Sequence, residues 1–215
     1  MAIKAVIFDF DGTLADTFPL IVSSFNAAVS GPLGLRFEDE EVISRFGVPD
    51  TVLVQQELPE ELWETAVETY YSHYLREHGM VAAFEGVEEM LRDLSASGYP
   101  LGVVTGKGRR AGEISIAKLG WTGLFGSLVT GDDIENQKPH PEGVLRAASE
   151  LGVSPEDCAY VGDSPVDVEA GGRAGALTFA AGWHARSRER LARAGATYWL
   201  DRPSELVDVI RRVGS

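Results

Sequence analysis

A single cysteine, Cys158, stands in a chain of 215 residues. One thiol forms no internal disulfide and no cysteine-rich metal site, so nothing in the sequence calls for an oxidising compartment. Cations are scarce too: 19 lysines and arginines face 33 aspartates and glutamates, a formal charge of −14. A field of that sign repels the phosphate backbone of nucleic acids and anionic membrane surfaces, which excludes a basic-patch binder. Only four of the cations are lysines (Lys4, Lys107, Lys118 and Lys138), and none lies between residues 15 and 82. Long apolar runs are missing as well. The opening MAIKAVIFDFDGTL meets carboxylates after a few apolar residues, too soon for a signal peptide or a membrane span. These absences predict a cytoplasmic protein, monomer or homodimer, with no nucleic-acid and no membrane partner. With 44% hydrophobic residues and no repeat or low-complexity tract, the chain has ample material for a packed core.

Ile3 to Phe10 is an almost continuous apolar, β-branched run, the pattern of a central parallel strand buried on both faces. It stops at Asp9-Phe10-Asp11-Gly12-Thr13. Two carboxylates at a strand's carboxyl end, followed by a permissive glycine, sit where open α/β sheets bind ligands; the plainer alternative is a surface turn with two solvated aspartates.

From there to about residue 82 the pattern is helical, with segments expected over 16–29, 38–46, 50–57 and 60–77 and breaks at Gly and Pro. Beyond Phe84, helices expected over 87–97, 109–119, 141–151 and 165–174, and from Ser204, alternate with strands over 99–104, 127–129, 158–161, 176–180 and 197–200. The pattern predicts an α/β fold: a doubly wound, Rossmann-like parallel sheet of residues 1–15 and 83–215, with an α-helical domain, residues 16–82, inserted after the first strand.

A parallel sheet brings four separated sites to one edge. They are Asp9 with Asp11, Thr105-Gly106 after the second strand, Lys138 in NQKPHP, and Asp163 with Asp167 in GDSPVD. Singly each has an ordinary alternative: Thr105 a strand-end residue, Lys138 a solvated loop charge, Asp167 a carboxylate favoured by a helix dipole. In order, DFDGTL, VVTG, the lysine before Pro139 and GDSPVD resemble the four motifs of the haloacid dehalogenase superfamily of phosphohydrolases, over essentially the whole chain.

That resemblance implies a chemistry that phosphate esters demand. A phosphate monoester is a dianion, so attack by a carboxylate requires cations that cancel charge. The resemblance implies magnesium held by Asp9, the backbone carbonyl of Asp11, and Asp163, an all-oxygen set that suits this hard ion. It further implies that Asp9 forms an aspartyl-phosphate and that Asp11 protonates the leaving alcohol and then deprotonates water. Lys138 would hold Asp9 and the phosphoryl oxygens, Thr105 and Gly106 would donate hydrogen bonds to the phosphoryl group, and Asp167 would orient the metal shell or Lys138.

Dehalogenases of the superfamily dispense with the second aspartate and the metal, so Asp11 and Asp163 argue against that reaction. Phosphonatases need a lysine in the insertion, and residues 15–82 have none. A mutase-like histidine is missing from DTFPLIVSSFN. The insertion's opening and its Gly47-Val48-Pro49 resemble phosphoglycolate phosphatases and pyrophosphatase-like relatives, while Gly106-Lys107 departs from the Asn-Lys or Thr-Lys they often carry.

The expected substrate is therefore a small phosphorylated metabolite, phosphoglycolate-like first. Sugar phosphates, nucleotides, pyrophosphate, a phosphomutase reaction and non-catalytic binding of a phosphorylated ligand are the alternatives. The insertion is expected to act as a cap. Its only strong cations are Arg36, Arg45 and Arg76. Arg45, beside the Gly47 loop, is the candidate for a second anionic group on the substrate, with a helix-end arginine as the alternative. Trp63, Tyr70, Tyr71 and Tyr74 read as packing between insertion helices, and His73 and His78 as solvent-facing or packed. His140 and His184 carry no assignment beyond proximity to the motifs.

Overall fold

The computed structural model describes residues 2–184 and 188–213. Six parallel strands form one sheet: β1 Ala5–Phe8, β2 Leu101–Val104, β3 Ser127–Val129, β4 Cys158–Gly162, β5 Leu177–Ala181 and β6 Tyr198–Leu200. Their order is β3-β2-β1-β4-β5-β6, so the winding direction reverses between β1 and β4. Carboxyl ends at such a reversal splay apart and leave a crevice, which is where this architecture binds ligands.

Alternation along β1 divides its side chains between two layers. Val6 and Phe8 join Val87, Met90, Leu91 and Leu94 of α5 (Val87–Ala96) and Leu206, Val207 and Ile210 of the last helix on one face. Ala5 and Ile7 face Val144, Ala147 and Ala148 of α7 (Glu142–Glu150) and Ala170 and Ala174 of α8 (Pro165–Ala174) on the other. The expected doubly wound α/β sheet is the one observed.

Four helices fill the connection from β1 to α5: α1 Phe18–Leu33, α2 Asp39–Ile43, α3 Asp50–Gln55 and α4 Trp63–Glu77. They close on a core of their own that includes Leu20, Phe25, Val29, Leu53, Tyr70 and Tyr74. The tyrosines expected to pack between these helices do so. Ala111 and Ile114 of α6 (Arg109–Lys118) belong to the same cluster, so α6 carries the insertion against the sheet domain.

Element ends differ from the expected ones for local reasons. The first strand stops at Phe8, not Phe10, because the Phe10 carbonyl accepts the N–H groups of Thr13, Leu14 and Ala15 and closes a tight turn. The second begins at Leu101 rather than Tyr99: Tyr99 donates its N–H back to Leu94 at the end of α5, and Pro100 has no N–H to give. The first helix runs to Leu33 with Pro32 in its last turn, and a short helix, α9 (Arg188–Ala192), was not expected. It buries Leu191 against Val168 and Ala180. Among the described residues no helix is long and apolar enough to cross a membrane. The terminal helix α10 (Ser204–Val213) completes the fold.

Candidate active site

Asp9 leaves the end of β1 with its N–H donated to Val161 of β4, 2.8 Å, which fixes its side chain at the β1–β4 crevice. It is buried. Lys138 reaches it from the loop before α7, across a cis Lys138–Pro139 bond, and donates to Asp9 Oδ1 at 2.7 Å. The same ammonium donates to Asp167 Oδ1 at 2.7 Å. Asp167 also receives the Tyr160 hydroxyl, 3.1 Å, on Oδ1 and the Ser164 N–H, 3.1 Å, on Oδ2. It thus caps α8 and grips Lys138 at once.

Asp163 follows β4 and is buried beside them, with Thr13 Oγ1 donating to its Oδ1 at 3.3 Å. Two glycines permit the approach. Gly12 has φ +86, and a Cβ there would lie 2.6 Å from Asp163 Oδ2. A Cβ on Gly162 would lie 2.3 Å from that of Asp167.

The electrostatics of this cluster are set by burial. Removal from water pushes the Asp9 carboxyl well above the usual range; Lys138 opposes the shift, and the neighbouring Asp167, Asp163 and Asp11 add to it. Asp163 is raised by burial in the same way, against the pull of His184. Lys138 loses hydration, yet Asp167 and Asp9 hold it protonated.

Asp9, Asp163 and Asp167 each offer an oxygen, all within 4.8 Å of one another. The donors are hard oxygens at close quarters. The residues therefore fit a small dication such as magnesium. Asp167, expected to orient the metal shell or Lys138, lies in this cluster with both of its oxygens engaged by Lys138, Tyr160 and Ser164.

The remaining expected residues are placed as follows. Asp11 sits in the turn after β1, and its Oδ1 accepts from the Thr17 hydroxyl and pairs with Lys107 at 3.1 Å. Thr105 is buried at the end of β2, its Oγ1 accepting the Lys107 N–H at 3.2 Å. Gly106 meets the insertion: a Cβ there would lie 3.6 Å from the Gly47 backbone. Arg45 is engaged inside the insertion, 2.9 Å from Glu57 Oε1 and over the ring of Phe37. His140 is half exposed and accepts the Glu142 N–H at 3.3 Å.

Three residues without an expected role stand at the site. His184 is nearly buried with Nδ1 3.5 Å from Asp163 Oδ2, and its ring stacks on Phe18, which stacks in turn on Phe46 of the insertion. Lys107 is fully buried beside Asp11. Asp50, at the start of α3, is buried and accepts the Gly108 N–H at 2.8 Å, a hydrogen bond from the sheet domain to the insertion. The sequence signals for Lys107 are the scarcity of lysine and its match to the lysine of the Asn-Lys or Thr-Lys pair noted above; Asp50 carries none, being one acid among twelve in the insertion.

The family model of the haloacid dehalogenase-like hydrolases matches residues 6–181, from β1 through β5. The chain belongs to this hydrolase family. The pyrophosphatase PpaX of Oceanobacillus iheyensis is 33% identical over 215 residues, covering 100% of this chain and 98% of that protein. Among solved structures, a predicted phosphoglycolate phosphatase from Haemophilus somnus shares the fold with a TM-score of 0.81 at 24% identity, covering 96% of this chain and 97% of that one. CbbY from Rhodobacter sphaeroides, in complex with phosphate, gives a TM-score of 0.80 at 24% identity, covering 95% and 96%. The hydrolase therefore shares its fold over nearly its whole length with these two proteins.

Proposed function

We propose that this hydrolase is a magnesium-dependent phosphatase that attacks a small phosphorylated metabolite with Asp9. The observation that carries the reading is the buried Asp9 carboxylate, held on one oxygen by Lys138 within a cluster that includes Asp163 and Asp167. Asp9 forms a bond to phosphorus while the bond from phosphorus to the leaving oxygen breaks; Asp11 gives that oxygen its proton. Water then attacks the aspartyl-phosphate, Asp11 takes its proton, and Asp9 and inorganic phosphate are released. Lys138 stays protonated throughout and offsets charge on Asp9 and the phosphoryl oxygens. Thr105 and the Gly106 N–H donate to the phosphoryl group. Asp9 and Asp163, with the carbonyl of Asp11, would hold magnesium, which would supply charge neutralisation for the phosphoryl group, and Asp167 orients Lys138.

In this reading residues 16–82 form a cap that shields the aspartyl-phosphate from bulk water and selects the leaving group. The tight meeting of Gly131 with Gly106 and Pro49 supports it: a Cβ on Gly131 would lie 2.5 Å from the Gly106 carbonyl and 2.9 Å from the Pro49 ring. Arg45 would contact substrate only after leaving Glu57, which Arg45→Ala tests through KM.

The substrate read from the insertion is phosphoglycolate or a similar small ester. A second reading, pyrophosphate, is favoured by the full-length likeness to pyrophosphatase PpaX. Phosphate release from phosphoglycolate, pyrophosphate, hexose phosphates and nucleoside monophosphates, with magnesium and with excess chelator, tests both. The proposal expects magnesium-dependent release with one substrate ahead by about a hundredfold in kcat/KM, or about 2.7 kcal/mol. A phosphorylated ligand that raises the melting temperature without any turnover would make the protein a binder instead.

A further inference from the structure

Lys107 is a buried cation that the catalytic steps above do not use. It lies two residues past Thr105 in the loop from β2 to α6, with a side chain wholly removed from solvent. An unpaired ammonium in that position is costly, so its surroundings must supply charge. What the ammonium meets is specific. Nζ is 3.1 Å from Asp11 Oδ1, on the sheet side, and 5.1 Å from the centre of the Tyr74 ring, on α4 of the insertion. Among the described residues no geometrically sound hydrogen bond engages Nζ, and the 3.1 Å contact with Asp11 is an ion pair. Next along the chain, Gly108 donates its N–H to Asp50 Oδ2, while the Tyr70 hydroxyl donates to Asp50 Oδ1 at 2.5 Å. Burial works against the charge on Lys107, but Asp11, then Tyr74 and Asp50, hold the ammonium protonated well above its ordinary range. One lysine thus links a carboxylate of the active edge to a carboxylate and a ring of the insertion.

We propose that Lys107 is a positioning residue: it fixes the Asp11 carboxylate for proton transfer to the leaving oxygen, and the docked insertion, through Asp50 and Tyr74, fixes Lys107. The inference rests on the reading of Asp11 as the proton donor. It explains why a lysine, and not merely any phosphate-binding loop residue, follows Thr105-Gly106. It also gives the insertion a role in the chemistry beyond shielding the site, since only the docked insertion surrounds this ammonium.

The test separates positioning from packing by the leaving group. Nitrophenolate departs without a proton, whereas the alkoxide of phosphoglycolate needs one. Wild type, K107M, K107R, D11N and the double variant D11N/K107M are compared by kcat/KM on p-nitrophenyl phosphate and on phosphoglycolate, which reports the first phosphoryl transfer alone. K107M is expected to lose at least about tenfold more on phosphoglycolate than on p-nitrophenyl phosphate. K107R is expected to restore that ratio to within about threefold, and in the D11N background K107M is expected to leave it unchanged. Equal losses on both esters, or a further loss of selectivity in the double variant, would overturn the proposal. If K107M gives no cooperative thermal melt, D50N decides instead: the same ratio must shift in the same direction, and an unmoved ratio overturns the inference. A wild type that hydrolyses neither ester contradicts the phosphatase reading itself, an outcome distinct from a wild type that hydrolyses both with K107M losing them equally.

Discussion

The ammonium of Lys138 lies 2.7 Å from Asp9 Oδ1, with Asp167 at the same distance on its other side. This ion pair joins a strand end to a loop more than a hundred residues away, and nearly all of it is out of water. Removing the cation leaves two buried carboxylates facing each other. K138M is therefore expected to lose activity by at least about a hundredfold and, measured in chelator, to lose about 3 kcal/mol of stability near neutral pH. The sign with pH follows from Asp9, whose carboxyl is already raised by burial and rises further without Lys138. A group whose folded pKa is raised contributes stability below its unfolded value and loses it as pH rises through the folded value. The deficit of K138M should thus grow from pH 5 to pH 8 in urea unfolding; a deficit independent of pH would contradict the pairing.

Gly12 tests the crevice from the backbone side. At φ +86 any side chain is strained, and its Cβ would press on Asp163 at 2.6 Å. Gly12→Ala is expected to cost about 1–2 kcal/mol and to raise the magnesium concentration needed for half-maximal activity. A loss of stability with an unchanged magnesium requirement would mean that Asp163 does not serve the metal.

His78 lies at the end of α4 and is buried with its Nε2 3.0 Å from Ser115 Oγ, which also meets the Tyr74 hydroxyl at 2.8 Å. Burial lowers its pKa, and the positive charges of Lys107 and Lys118 add to that. A histidine whose folded pKa is depressed contributes stability above its unfolded pKa of about 6.5 that is lost as pH falls toward the folded value. The wild type should therefore lose stability, relative to His78→Gln, as pH falls below about 6.5. Parallel unfolding curves for the two proteins across that range would show that His78 takes its proton equally well folded and unfolded.

The sheet, the insertion and the main carboxylates were legible in the sequence because their signals are local. A buried strand reads as a continuous apolar run, and parallel crossovers then put every strand's carboxyl end on one side. That logic brings Asp9, Lys138, Asp163 and Asp167 together without knowledge of any contact. Element ends were less legible because they depend on single backbone hydrogen bonds, such as those converging on the Phe10 carbonyl. The setting of Lys107 was not legible at all: it depends on a ring, Tyr74, that arrives from α4, more than thirty residues earlier in the chain. Arg45 shows the same limit from the other direction. Its place beside the Gly47 loop made it the candidate for a second anionic group on the substrate, but the sequence does not show its pairing with Glu57, twelve residues on.

The central claim is that Asp9 is the nucleophile, and magnesium-dependent phosphate release by wild type and Asp9→Asn tests it most directly. The substitution is nearly isosteric, so the variant is expected to keep the wild-type circular dichroism spectrum. Its release should fall by at least about a thousandfold on whichever substrate the wild type prefers. A folded Asp9→Asn protein that retains about a tenth or more of the magnesium-dependent rate would contradict the account.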